Sequence, residues 1–570
     1  MSDIYLLKKP AILMAPSRFR LIPVLFLFLF PSVTQGTIVT TTSDEDDGSL
    51  GGGSGISLRE AVRYSSAGST IAFTPALSGG IIRLTLGQIT IANSLTINGS
   101  ALPVKITLSG DKTGDGRTAD DTRVIDITAG TVLLDSLLIT GGNCPAGTPT
   151  TQGAGIHVSS STTQLTIRDS TLSGNSATDG AAIYFFGELN NPNFFLRIED
   201  STLVNNSATG EAGAIRNFGR LFIFNSIFSG NSARQGGAIY SRDGIFQIGD
   251  SFFSGNSATS EGGAIWCYRA TTLTSSTFAG NSAPYGGAIF SSFKCVLTVE
   301  NSTITANTAR DSGGGIFVSG ASTTLRHSTL TGNAALQSGG GIWRKSSGST
   351  PVGILAANNS IISNNSAPNT PNINSGGTFT GANNLISGVP HLATLGDYGG
   401  PTRTMPPLPG SPAINAGSAT TLTTDQRGFT RTGLPDSGAA EYRGNLDLAR
   451  YWKMDFDGDG LLYGTEQALG SDPLVSDPTT VHNLTTPALN PAGHAVMSFG
   501  IGAAAPGTRW ILTRSTDLLT FTEIYRYNGT IDTAVTGITF LRTATNITVT
   551  DTTSPPGGSY FYRFEAMFDP

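Results

Sequence analysis

Three cysteines in 570 residues, Cys144, Cys267 and Cys295, are too few for a disulfide framework, and the lack of any Cys-x-x-Cys pair removes the common zinc and dithiol motifs. They read as buried, idle thiols. Charge is also thin: 13% of residues, 34 basic against 40 acidic, for a net −6. That balance leaves no basic footprint for nucleic acid. Long apolar runs are missing but for "LIPVLFLFLF" at Leu21–Phe30, and a membrane-spanning helix needs ~20 such residues. Lys8, Lys9, Arg18 and Arg20 precede this run and "PSVTQG" follows it, the layout of an export signal over residues 1–36 with cleavage near Gly36. The expectation is an exported monomer, extracellular or associated with the outer membrane or cell surface, with no integral span in the mature chain. What the chain has in abundance is glycine, 72 residues, with much Ser, Thr and Asn. Such a composition suits a turn-dense, strand-rich protein.

The length exceeds one compact core and calls for several domains or a stacked repeat. A repeat is present. "SIFSGNSARQGGAIYS" from Ser226 returns as "SFFSGNSATSEGGAIW" from Ser251. Aligned on the Asn, the phrase recurs at Asn175, Asn206, Asn231, Asn256, Asn281, Asn307, Asn333 and Asn365, mostly 25 or 26 residues apart. The Ile of the glycine phrase keeps the same beat, from Ile156 to Ile342. A period in the twenties without helical spacing means one short unit stacked on its copies. Alternating runs such as "QLTIRDS" and "VLTVENS" lie between the phrases and read as strands. A parallel β-helix fits, each coil pairing with the next at ~4.8 Å. Stacking sets each Asn over the previous one, so its amide can bond to turn backbone and to its neighbour. The Gly pair allows positive φ or close backbone approach, and the Ile after it points inward. Asp169, Asp200, Asp250 and Glu300 precede the leading Ser or Asn-Ser and read as a column of turn carboxylates.

"GGAI" at Gly236–Ile239, Gly262–Ile265 and Gly286–Ile289, in phase with Phe-x-x-Asn at Phe228–Asn231, Phe253–Asn256 and Phe278–Asn281, resembles the repeat of the chlamydial polymorphic outer-membrane proteins. The match covers about 150 to 370. It implies a right-handed parallel β-helix of the pectin-lyase-like kind over residues 101–390, in an all-β chain. "GISLREAV" resembles the CSLREA head of large secreted bacterial proteins, with Ile56 in place of the Cys. Its Ser57 and Glu60 form a capping box that opens a short helix, which would cover the first coil within a head spanning 37–100. "GSPAINAGS" and "DQRGFTRTGLPDSGAAEY", within 391–447, resemble the choice-of-anchor Q tail of bacterial β-helix proteins and imply a surface tether.

"DFDGDGLLYGTE" carries carboxylates at positions 1, 3, 5 and 12 with Gly at 6, the spacing of an EF-hand loop. It predicts a Ca²⁺ site in the 448–480 linker, made by Asp455, Asp457, Asp459, the Leu461 carbonyl and Glu466. "SGDKTGDGRTADD", from Ser109, lacks the full spacing and reads as a loop. Beyond Pro478 the repeat stops, and alternating strands over 481–570 predict a small β-sandwich, with Trp510 in its core.

Glycoside hydrolysis needs two convergent carboxylates. The acidic residues of the repeats are scattered by contrast, and none of the five histidines neighbours an acid or nucleophile pattern. The function expected is therefore structural or adhesive, toward glycans or another cell surface, with no catalytic residues assigned. A carbohydrate-active enzyme of the β-helix class is the alternative. An autotransporter-like passenger is the third reading, although the sequence offers too few ~10-residue strands for a membrane barrel.

Overall fold

The computed structural model describes residues 36–144, 151–160, 162–186, 193–320, 322–345 and 353–444, and in the C-terminal part 488–490, 492, 494–500, 508–515, 522–527, 532–542, 546–553 and 561–568. One coil stands for the rest. Strand Phe246–Gly249 belongs to a first sheet, Phe252–Ser254 to a second, Ser257–Glu261 to a third and Ile265–Cys267 to a fourth. Among the described residues these parallel sheets hold 13, 11, 7 and 11 strands, and each strand pairs with the equivalent strand of the coils before and after. The chain is thus an all-β parallel β-helix. Side chains alternate in and out: Phe246 and Ile248 are buried while Gln247 between them is exposed. One apolar core runs from Val39 to Ile362. Within it Phe228, Phe253 and Phe278 stack at 4.7 Å between ring centroids.

From Ser136 to Asn359 each coil turns three left-handed corners. The first is Asp250 (φ 50°), the second Gly255 (φ 61°) and the third Gly262 (φ 67°). Over the stack the first corner is Ser136, Asp169, Asp200, Asn225, Asp250, Ser275, Asn301, His327 and Asn359, all with φ between 42° and 58°. Glu300 is not in that column, contrary to the sequence reading. It ends strand Leu297–Glu300 and pairs with Arg326 at 2.8 Å, and the corner falls on Asn301. Short Asx side chains tolerate the left-handed region better than a longer carboxylate does. The two glycines of the Gly-Gly phrase have different duties. Gly236 has φ 60°, and a Cβ there would lie 2.2 Å from the Ile239 carbonyl oxygen. At Gly237 a Cβ would lie 2.1 Å from the carbonyl oxygen of Gly263 in the next coil.

Two buried polar ladders join the coils. The eight asparagines stand in line: Asn231 Nδ2 donates to Asn256 Oδ1 at 2.9 Å, as Asn256 does to Asn281 and Asn281 to Asn307. A second Nδ2 hydrogen bond reaches a backbone carbonyl, as from Asn256 to Phe228 at 2.9 Å. Beside it runs a serine ladder. Ser226 N–H donates to Ser251 Oγ and Ser251 N–H to Ser276 Oγ, at 3.1 and 3.2 Å. Each such bond adds only about 0.5–1.5 kcal/mol net, but a buried amide left without partners would cost more than that.

The ends are closed differently. At the start, helix Leu58–Tyr64 carries the capping box its sequence predicts: Glu60 N–H donates to Ser57 Oγ and Ser57 N–H to Glu60 Oε2. Leu58, Ala61 and Val62 seal the core. At the other end, residues 391–444 fold back along the outer face of the second sheet. Thr277 Oγ1 donates to the Arg403 carbonyl, Thr303 Oγ1 to Gln426 Oε1 at 2.6 Å, and Ala439 N–H to Thr329 Oγ1 at 3.0 Å. The fully buried pair Arg427–Asp425, at 2.8 Å, braces this tail from within.

The C-terminal part is a small sandwich. Strands Ala488–Leu489, Ala495–Gly500, Asn546–Asp551 and Ile538–Arg542 form one antiparallel sheet. Asp532–Ala534, Thr522–Tyr527, Thr508–Ser515 and Phe561–Phe568 form the other. Met497, Ile547 and Val549 of the first share a core with Leu512, Ile524 and Tyr525 of the second. The Trp510 side chain lies outside the described residues. No helix among the described residues is long and apolar enough to cross a membrane.

Candidate functional site: a cleft beside the folded-back tail

The outward position at the head of the second-sheet strand is threonine in five coils, Thr171, Thr202, Thr277, Thr303 and Thr329, with Leu138 before this run and Ile361 after it. In register with them, two neighbouring coils carry Ile227 and Phe252 instead. This is where the tail stops covering the sheet. Pro401, Thr402 and Arg403 form one wall of a cleft of about 500 Å³, Ile227 and Phe252 its apolar floor, and Asn225, Ser229, Asp250 and Ser254 its polar rim.

The polar groups differ in how far they are committed. Thr402 Oγ1 donates to the Ser275 carbonyl and accepts from Gln426 Nε2, which pins the tail wall. Asn225 Nδ2 donates to the Asp200 carboxylate. The Arg403 guanidinium lies 5.6 Å from the centre of the Phe252 ring, an interaction of about 0.5–1 kcal/mol where exposed. Asp250 is the exception. Among the described acidic residues of the repeats, only its carboxylate has no hydrogen bond or ion pair. Asp169 has Lys105, Asp179 and Glu211 share Arg216, Glu199 has Arg197, Asp243 has Arg269, Glu261 has Gln235 and Asp311 has Ser312. Burial without a compensating partner raises the Asp250 carboxyl above its ordinary value. An apolar floor with a few convergent polar groups is the usual make-up of a small-molecule site. The lining holds one carboxyl, where glycoside hydrolysis uses two.

A second feature of the surface is a ring stack along the fourth sheet, at the residue after the conserved-phase Ile. Tyr240 and Trp266 stack at 4.2 Å, Phe290 and Phe317 at 4.9 Å, and Phe317 and Trp343 at 4.5 Å. Tyr240, Trp266, Phe290 and Phe317 are buried with their faces against one another, and Trp343 closes the stack partly exposed. Trp266 Nε1 donates to Glu261 Oε2 at 2.9 Å. This stack is structural.

The asparagine column lies inside the corners and away from the cleft, every member buried. Asp455, Asp457, Asp459, Leu461 and Glu466 lie outside the described residues. In the 109–121 loop, Asp111 accepts from the N–H groups of Gly114 and Gly116, and Asp121 from those of Lys112 and Thr118. Sequence reasoning noted Asp250 but missed Arg403 and the cleft. The visible signal was the break in the threonine column at Ile227 and Phe252.

Comparison with known proteins agrees with the parallel coils described above and adds their hand. No curated protein and no solved structure matches the chain. Residues 154–361 match the family described as right handed beta helix region, and the coils are those of a right-handed parallel β-helix.

Proposed function

We propose that the chain is an exported protein of the bacterial cell surface or extracellular space whose role is structural or adhesive, and that it binds glycans at the cleft between Phe252 and Arg403. The observation that carries this reading is the unpartnered Asp250 carboxyl beside an apolar floor and a guanidinium. A carboxylate accepts strongly from sugar hydroxyls, and a guanidinium donates strongly to hydroxyls or to the carboxylate of an acidic sugar. Support for export comes from the basic and apolar segments before Gly36. Support for the surface comes from the resemblance of the repeat to chlamydial polymorphic outer-membrane proteins, of the head to CSLREA proteins and of residues 391–447 to choice-of-anchor Q tails. In the same reading Asp455, Asp457, Asp459, Glu466 and the Leu461 carbonyl hold one Ca²⁺ that stiffens the linker before the sandwich.

A glycan array with the purified chain, read for both binding and cleavage products, tests the proposal. Retention of a glycan class without new reducing or unsaturated ends is the result expected. No retained glycan would overturn it. Cleavage products would favour the enzyme reading, for which the raised Asp250 carboxyl is the acid to suspect.

A further inference from the structure

Cys267 and Cys295 are 28 residues apart in sequence, at different phases of the repeat, and were read above as buried, idle thiols. In the fold they meet. Cys267 closes strand Ile265–Cys267 of the fourth sheet. Cys295 lies two residues before strand Leu297–Glu300 of the first sheet, in the connection one turn further along the stack. Both point into the core with no exposed surface, and their sulfurs are 2.9 Å apart. Cys144, the third cysteine, is buried among alanines elsewhere.

We propose that Cys267 and Cys295 are joined by a disulfide when the chain folds in an oxidising environment, so that one covalent staple ties successive coils together. The sulfurs need to close by only about 0.9 Å to reach bonding distance. Nothing apolar separates them, and the strand holding Cys267 is fixed in register on both sides, opposite Ser241 and Ser291. Burial opposes a thiolate at Cys295, but hydrogen bonding with Cys267, Ser291 and Thr271 outweighs it and brings that thiol below its ordinary value. The exchange balances equally whichever of the two cysteines attacks first. With Cys295 first, its thiolate displaces one sulfur of a reagent disulfide, a small-molecule disulfide or a thiol–disulfide oxidoreductase, to give a mixed disulfide. Cys267 loses its proton and attacks the Cys295 sulfur of that bond, which releases the second reagent thiol. The pair loses two electrons and two protons, and the reagent disulfide becomes two thiols. Because both sulfurs are sealed in the finished core, the exchange belongs to the time when these coils assemble.

The test uses the full chain made in two hosts, one with a reducing and one with an oxidising cytoplasm. Each sample is denatured in an alkylating reagent without reductant and weighed intact. The reduced sample should carry three adducts and the oxidised sample one, at Cys144, with a peptide pair linked through Cys267 and Cys295. Three adducts in the oxidised sample, or a link through Cys144, would overturn the proposal. Cys267→Ser should carry two adducts from either host, and it should fold, because serine already occupies this position in the coils on both sides. Oxidised wild type should melt several degrees above its reduced form, while the serine variant melts at one temperature from both hosts. Equal melting of the two wild-type forms would show that the bond, even if formed, staples nothing.

Discussion

Asn281 Oδ1 accepts two hydrogen bonds from Asn256, one from Nδ2 at 2.9 Å and one from the backbone N–H at 3.0 Å. Asn256 Oδ1 does the same for Asn231 one coil earlier. Replacing Asn256 by leucine therefore strands the Asn231 N–H, leaves the Asn231 amide only the Leu203 carbonyl and leaves Asn281 Oδ1 only the residue-256 N–H. Each buried group left unpaired costs about 1–3 kcal/mol. Asn256→Leu should lower stability by at least that amount in denaturant unfolding. A midpoint equal to wild type would show that these groups find other partners.

The glycines separate two kinds of cost. At Gly263 a Cβ would meet the Gly287 carbonyl oxygen at 2.0 Å, while at Gly255 it would meet nothing within 4 Å. Gly263→Ala should thus force coils apart and destabilise by more than about 2 kcal/mol, the scale of overpacking. Gly255→Asn should be close to neutral, since Asn205 and Asn364 hold the equivalent corner at φ 55° and 56°. Thermal melts of the two variants side by side decide it.

Two buried groups where the tail meets the stack give stability opposite pH dependences. His327, at a first-type corner, is pushed down to about 3, chiefly by burial and then by Arg431. Its unfolded value is near 6.5, so the unfolded chain takes up a proton that the native state refuses. That contribution is complete above the unfolded value and is lost as pH falls toward the folded one. Glu441 is raised to about 7 by burial, which outweighs the nearby Arg431. Its contribution is complete below its unfolded value of 4.5 and is lost as pH rises toward 7. The two oppose each other between 4.5 and 6.5, and below 4.5 the histidine acts alone. Against His327→Asn, wild type should lose stability on acidification by about 1.4 kcal/mol per pH unit through that lower range. Parallel stability–pH curves for the two proteins would show that His327 is protonated in the fold.

Chelation should loosen the 448–480 linker without unfolding the β-helix or the sandwich, each of which has its own core. Under limited proteolysis, cuts between Tyr451 and Pro478 should appear in EDTA and fade with calcium in the ~10⁻⁴–10⁻³ M range of extracellular modules. Asp457→Ala should be cut there even with calcium present. Cleavage indifferent to calcium would make the loop an acidic linker.

In the cleft, Phe252→Thr places here the residue type of Thr277 in the next coil and removes the aromatic floor. It should weaken a glycan found on the array by roughly tenfold, about 1.4 kcal/mol, with little change in melting. Arg403→Gln should do the same. Binding unchanged in both variants would move the glycan site elsewhere.

Much of the fold was legible because the signal is local and repeated. Period, strand alternation and glycine phrase recur within about 25 residues, and each copy supports the others. The serine ladder and the ring stack were equally periodic but went unread, since Ser and aromatic residues have many roles in strands. Glu300 was misread because a carboxylate was followed where the left-handed backbone at Asn301 should have been. The cleft and the Cys267–Cys295 contact depend on meetings across coils or with the tail. Thr402 and Ser275 are 127 residues apart, and no linear pattern marks such a pair.

The tail is keyed to the stack from Phe252 and Ser275 onward and the helical cap to the first coils, while between cap and cleft the coils of Asn175 and Asn206 are joined by the same Asn and Ser contacts as those above. Adding or removing one unit in that middle stretch would rejoin identical chemistry above and below the cut. It would change the distance from cap to cleft by ~4.8 Å and leave the cleft's own walls untouched. Reach is in this sense a counted quantity, set by how many times the sequence says the same phrase before the tail returns.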